Sequence, residues 1–345
     1  MINVNNTLLL LENTTEKVIE DFSAILPSGM EGFSSSDGVI SSLGLDRLLG
    51  EIVSIVTTDG GEVMLFFFSL FGLSILMALA SNLSGDSTFF AARAVVLVSA
   101  GVIFSLMLPL FLEAIDMLGT LTDFFACADG LCVTLVALGG GVSTSSMRAV
   151  SSSIILQFFG FLGSSLGVVV GVMFILAIIS LIDMDNKNGL FDFVKNIFTR
   201  GVAILVASIS GFLTLQTIVT SISDSAAVRT ARYAVGSLVP VVGSTVSSAL
   251  STLAGGLQYA VGIVGGGSVA VIIAMALSPV VMLLLYRGCL VVAGFFLECC
   301  SAHLASRCLS LIVGVLDSLI SVVVLTIIVY LYELVLFIIG GVAIL

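Results

Sequence analysis

Long apolar runs, each close to twenty residues, recur from Val63 to Leu345, and they restrict this chain more than any other feature. A run of ~20 mostly apolar residues is long enough to cross a bilayer as a helix. Lipid offers no partner for backbone N–H and C=O groups, so spanning segments must satisfy them internally. Composition agrees. Of 345 residues, 59% are hydrophobic and 10% charged, where soluble domains carry about 25% charged residues. The expected fold is therefore all-α: a polytopic integral membrane helical bundle with about six to nine membrane segments, some re-entrant or broken.

Charge divides the chain. Residues 1–62 hold ten acidic and two basic side chains, whereas the net charge of the whole chain is −11. This predicts an acidic extramembrane segment over 1–62, with short amphipathic helices, and a membrane domain over 63–345. Residues 12–28 place Val18, Phe22, Ile25 and Leu26 on one helical side. A Ser/Gly-rich loop follows, then a short helix over Leu45–Val56. The sole early apolar run, Leu8–Leu11, is too short and lacks the basic flank of a signal peptide.

Hydropathy predicts spans over Val63–Leu83, Ala94–Leu112, Ile154–Ile182 and Gly201–Ile222. Glu113, Asp116, Asp123 and Asp129 make 113–130 look surface-lying, and Leu131–Gly141 looks re-entrant. Gly163, Gly167 and Gly171 repeat at four-residue spacing, a pattern that suits close helix packing. Residues 183–200 read as a polar loop, and Lys187, Lys195 and Arg200 assign it to the cytoplasm. Val269–Leu285, Leu290–Cys300, Leu309–Leu331 and Leu334–Leu345 complete the set. Ser81-Asn82-Leu83 followed by Ala92-Arg93-Ala94-Val95 echoes Ser221-Ile222-Ser223 followed by Ala231-Arg232-Tyr233-Ala234-Val235. Three intervening spans would invert the second copy, so inverted repeats over 63–182 and 201–331 are an expectation.

Several chemistries find no support. Gly163-Ser164-Ser165-Leu166-Gly167 matches a nucleophile pattern but lies within an apolar helix, not at a strand–turn–helix elbow. No H-E-x-x-H and no phosphate-binding loop occurs. Cys299, Cys300, His303 and Cys308 are metal-ligating types without a ligand spacing. There is no basic patch for nucleic acid. The reading is a non-enzymatic protein with no cofactor and no metal, whose partners include membrane lipid.

Charges inside apolar runs are costly and take a partner or face water. Asp317 is the candidate intramembrane charge; Glu298 is similarly placed, and Glu333 reads as a helix end at headgroup level. The stretch from Asp224 is the most informative. Asp224 or Ser223 suits a helix N-cap. Arg229, Arg232, Tyr233 and Gly236 then share one helical face, Pro240 breaks the helix, and Gly243 opens a Ser/Thr-rich run with Ser247 and Ser251. That run is too polar for lipid and suits an interior or aqueous path.

Asp224, Arg229-Thr230-Ala231-Arg232-Tyr233, Gly236 and Pro240-Val241-Val242-Gly243, with the Ser/Thr-rich run after them, resemble the stage III sporulation protein AE family of endospore-forming bacteria. Pro279 and Tyr286-Arg287 add to the resemblance. It implies a subunit of the channel or secretion-like complex that joins mother cell and forespore. It also implies other stage III A operon proteins as partners, one resembling secretion ATPases, together with stage II sporulation protein Q and a possible homo-oligomer. The implied location is the mother-cell membrane around the forespore. Members of that family generally begin with a cleavable signal sequence, and this chain departs from them there. An export-gate-like or permease-like core, with 224–255 near the conduit, is the first expectation. The alternative is a stand-alone secondary transporter coupled through Asp317.

Overall fold

The computed structural model describes residues 17, 20–24, 26, 45–58, 60–82, 88–138, 141–182, 189–238 and 243–344. Among them the structure is helical, with no strand. The major helices are α1 (Leu45–Thr58), α2 (Gly60–Asn82), α3 (Thr88–Leu138), α4 (Val142–Ile182), α5 (Gly189–Leu238), α6 (Gly243–Cys299) and α7 (His303–Ile344). Six of these, α2 to α7, are long and apolar enough to cross a membrane. The fold is an all-α polytopic membrane bundle.

α7 is its centre. It packs against each of α2 to α6, most extensively against α6. Half of its most apolar stretch is buried inside the bundle, against 17% in α5, so α5 is peripheral. Apolar side chains that remain exposed, such as Leu65, Phe68, Phe161, Val168 and Leu215, suit a lipid-facing surface. From the acidic segment, Phe22 is fully buried against the core and Leu26 packs partly on it.

The helices are fewer and longer than hydropathy predicts. Thr88–Leu138 is one helix of 51 residues, about 76 Å at the α-helical rise. It absorbs the stretch read as surface-lying and, of the stretch read as re-entrant, residues 131–138. α6 unites the two runs predicted around Tyr286-Arg287-Gly288, and α7 unites the two around Tyr332-Glu333. α4 starts at Val142, twelve residues before the predicted span. Residues 189–200 are helical, not loop, and α5 runs through Ser223 and Asp224 without a new N-terminus. At Asp224 and Glu333 the polar residues find partners inside the bundle, and Arg287 finds one on α7, so the backbone need not break there. Glu113, Asp116 and Asp123 stay exposed along continuous α3. Pro109 and Pro279 also sit within helices, as bundle context permits. Residues 183–188 and Pro240 lie outside the described residues; α5 ends at Leu238 and α6 begins at Gly243.

Between α6 and α7 the chain turns within three residues. Ala302 N–H donates to Leu297 O at 3.0 Å and Ser301 N–H to Glu298 O at 3.0 Å. Ser301 adopts φ 57°. This is the Schellman arrangement, in which a left-handed residue satisfies the last free carbonyls of a helix.

The two sequence echoes differ locally. Ser81-Asn82 ends α2, whereas Ser221-Ile222-Ser223 lies within continuous α5.

Candidate functional site

The chain's one basic residue between Arg93 and Lys187 is Arg148, and it lies near the start of α4. Around it Thr144, Ser145, Ser151 and Ser152 occupy one helical face, and all five side chains are buried. An apolar helix that turns a continuous polar face inward requires polar partners opposite. α5 supplies one row: Gln216, Thr220 and Asp224 recur every fourth residue. Gln216 Nε2 donates to Ser151 Oγ at 3.3 Å, and Thr220 Oγ1 donates to Gln216 O at 2.9 Å.

α7 supplies the counter-charge. Arg148 Nη2 donates to the backbone carbonyl of Glu333 and lies 3.4 Å from Glu333 Oε1. The guanidinium also stands 5.1 Å over the Phe337 ring, a cation–π placement. Arg148 and Glu333 are 4% and 1% exposed, so water does not screen them. Asp129 of α3 is buried as well, close to Arg148 and Ser152. Four oxygens or nitrogens of this cluster have no hydrogen-bond partner among the described residues: Asp129 Oδ1, Glu333 Oε2, Arg148 Nε and Thr144 Oγ1. Beneath it Tyr330 stacks on Phe125 with ring centroids 4.3 Å apart and bonds Thr122 at 2.9 Å.

Gly265 of α6 closes the cluster from the side. A Cβ there would stand 2.6 Å from Ile338 Cγ1 and 3.2 Å from Phe337 Cδ1. Only glycine lets α6 approach α7 so closely. Gly163, Gly167 and Gly171 do not serve that purpose within this chain. A Cβ at Gly163 or Gly171 would meet nothing within 4 Å, and one at Gly167 would make ordinary contact with Ile115 at 3.8 Å. The predicted packing face is therefore open, and the tight approach lies elsewhere.

Asp224 is brought into the site, though not as the cap of its own helix. Its carboxylate accepts from Ser143 N–H at 3.2 Å and Thr144 N–H at 2.7 Å. It thus caps α4 from 80 residues away, at an end where free N–H groups and the helix dipole favour an anion. The helical backbone of Arg229, Arg232, Tyr233, Gly236, Gly243, Ser247 and Ser251 is described, but their side chains lie outside the described residues.

Asp317 lies in a separate cluster. Its Oδ1 accepts from Arg287 Nε at 2.6 Å, and its Oδ2 is 3.7 Å from Lys195 Nζ. All three side chains are between 30% and 44% exposed. Glu333, read as a headgroup-level charge, is the more deeply buried of the two α7 carboxylates. Glu298 accepts from Ser306 Oγ at 3.1 Å near the α6–α7 turn.

The six cysteines are free thiols. Among the described residues no group of three or more His, Cys, Asp or Glu side chains is placed to hold a metal ion.

The buried cluster escapes a reading by hydropathy because its members sit on four different helices. One signal in the sequence points to it. Thr144, Ser145, Arg148, Ser151 and Ser152 follow helical spacing, as do Gln216, Thr220 and Asp224.

Comparison with known proteins places these features in context. The model of a family described as Stage III sporulation protein AE matches residues 42–342. A relative with that same description, from Bacillus subtilis strain 168, is 24% identical over 178 residues. That alignment takes in 50% of this chain and 43% of the relative, so the chain matches less than half the length of that protein. No solved structure matches.

Proposed function

We propose, because this chain belongs to the stage III sporulation protein AE family, that it is a non-enzymatic membrane subunit of the channel or secretion-like complex required for endospore formation. Its place is the mother-cell membrane around the forespore. Its partners are the other stage III A operon proteins, including the secretion-type ATPase, and stage II sporulation protein Q across the intermembrane space. Further copies of this chain complete the assembly.

The family match over 42–342 carries this reading. The geometry supports a permease-like or export-gate-like core. The buried polar face between α4 and α5 runs from Arg148 to Asp224, where the 224–255 segment begins. A polar interior row inside an apolar bundle is what a conduit or a switching interface needs. The direct test is copurification of the tagged chain from sporulating cells. Recovery of the operon proteins supports the reading; a chain recovered alone under gentle solubilisation sinks it. Cysteines placed at Ser247 and Ser251, in a background without native cysteines, test the conduit. Thiol reagents that block forespore gene expression support it, and sites inert to water-soluble reagents count against it.

The buried carboxylates favour a second reading, a stand-alone secondary transporter. Purified chain alone would then move an ion in liposomes. Asp317, partly exposed and held by two cations, suits the coupling role less well than Glu333. Transport lost in Asp317→Asn and kept in Glu333→Gln would reverse that ranking.

A further inference from the structure

Arg148 is a single buried cation facing two buried carboxylates, Asp129 and Glu333. With every group ionised the cluster would carry one unmatched negative charge. An unmatched charge inside a membrane bundle is costly, and two carboxylates that share one cation repel each other. The structure shows where the strain falls. Glu333 Oε1 faces Arg148, whereas Glu333 Oε2 and Asp129 Oδ1 have no donor among the described residues. Both carboxylates depend on the one guanidinium, and their like charges oppose each other.

Among the described residues the surrounding groups offer no second cation. From α3 comes Cys132, fully buried and a free thiol. From α5 comes the neutral Gln216, bonded to Ser151. Asp224 adds negative charge two turns further along and is committed to the α4 N-terminus. From α6 Gly265 lies against the α7 side chains Ile338 and Phe337, and the neutral Ser268 hydroxyl, one turn on, is committed to Val264 O. On α7 the Tyr330 hydroxyl is engaged by Thr122. A metal cation would have to sit beside a fixed guanidinium, with only two carboxylates to hold it. A proton needs a single bare oxygen and adds no bulk.

We propose that Asp129 and Glu333 form a proton-binding site, which holds one exchangeable proton against the fixed charge of Arg148. The proton comes from water and bonds to one of the two bare carboxylate oxygens. That carboxylate becomes a carboxylic acid, the other stays paired with Arg148, and the cluster becomes neutral. No electron is transferred and nothing else leaves. Release of the proton places one unmatched negative charge between α3, α4 and α7, so the packing of these helices is linked to proton occupancy. The site is a property of the chain itself. It goes beyond the channel reading, and failure of the copurification would leave it standing.

The test is infrared pH-difference spectroscopy on the full chain, purified into lipid nanodiscs. Wild-type chain should show the C=O stretch of a protonated carboxyl at pH 7, where exposed carboxylates, with an ordinary pKa of about 4, are ionised. Asp129→Asn and Glu333→Gln should each abolish that band, because either change leaves one carboxylate for one guanidinium. Absence of the band in wild type overturns the proposal. So does its persistence in both variants. Loss in only one places the proton on that residue alone and overturns the shared site. A second measurement needs no variant. Dicyclohexylcarbodiimide reacts with protonated carboxyls in apolar surroundings, so mass spectrometry should find its adduct on Asp129 or Glu333, decreasing as pH rises. No adduct on either residue at any pH contradicts the site.

Discussion

Arg148 and Arg287 each meet a carboxylate of α7, Glu333 and Asp317 respectively, sixteen residues apart in sequence, or about 24 Å along the helix. The two clusters are opposites in balance and in burial. Around Asp317 two cations share one carboxylate, and the side chains are about a third exposed. Around Arg148 two carboxylates share one cation, and all three are within a few per cent of full burial. The Arg287–Asp317 contact, at 2.6 Å, is also the shorter. A short contact does not make the stronger structural element. Solvent screens the exposed pair, whereas removing one partner of the buried pair strands a charge.

The sharpest way to break this contrast is Arg148→Met. It leaves Asp129 and Glu333 without their cation, and breaking a buried pair costs about 3–5 kcal/mol. Thermal unfolding in detergent should show a chain that is barely folded or fails to accumulate. A variant as stable as wild type would mean that the cluster is solvated in the membrane.

Gly265→Ala tests the wall of the buried cluster. The added methyl group meets Ile338 and Phe337, and Phe337 lies beneath the Arg148 guanidinium. Overpacking of this kind costs about 1–3 kcal/mol. Gly314→Ala is the matched change beside the exposed cluster. Its Cβ would meet Phe191 Cε1 at 3.0 Å and Lys195 Nζ at 3.3 Å. The lysine end is flexible and the ring tip can tilt, so the loss in unfolding temperature should be the smaller of the two. The reverse order would show that α6 and α7 are not closely apposed at Gly265.

Asp224→Ala removes the cap of α4 at the far end of the polar face. Caps are worth about 1 kcal/mol, up to about 2. Hydrogen exchange of the first turn of α4 should rise selectively. Uniform exchange across the bundle would contradict the capping role.

Asp317→Asn should have the smallest effect, within about 1 kcal/mol, because partly exposed ion pairs contribute little. That contribution should fade further as salt is added. An effect as large as that of Arg148→Met would erase the distinction between the clusters.

Much of the fold was legible in the residues. The apolar run from Val63 marks α2, and the run after Ala94 marks the apolar part of α3. What hydropathy misjudged were the breaks. Tyr286-Arg287 and Tyr332-Glu333 look like ends because a window of neighbours records polarity and not its partner, and Glu113 lies exposed on a helix that continues past it. The site was partly visible. Asp224 and Asp317 stand out in sequence, yet Asp224 caps α4 and not its own helix, and the partners of Asp317, Lys195 and Arg287, come from two other helices. Arg148 is unremarkable by itself, since its significance depends on Glu333, 185 residues away.

By itself, the sequence determined that this chain lives in a membrane as helices, because a backbone in lipid must satisfy its own hydrogen bonds over about 20 apolar residues. The Arg229–Gly243 block resembles the family to which the chain belongs. Only the tertiary structure decided which charges are buried and with whom. Hydropathy is a sum over neighbours along the chain, whereas the state of a charge depends on what distant helices bring within a few ångströms of it.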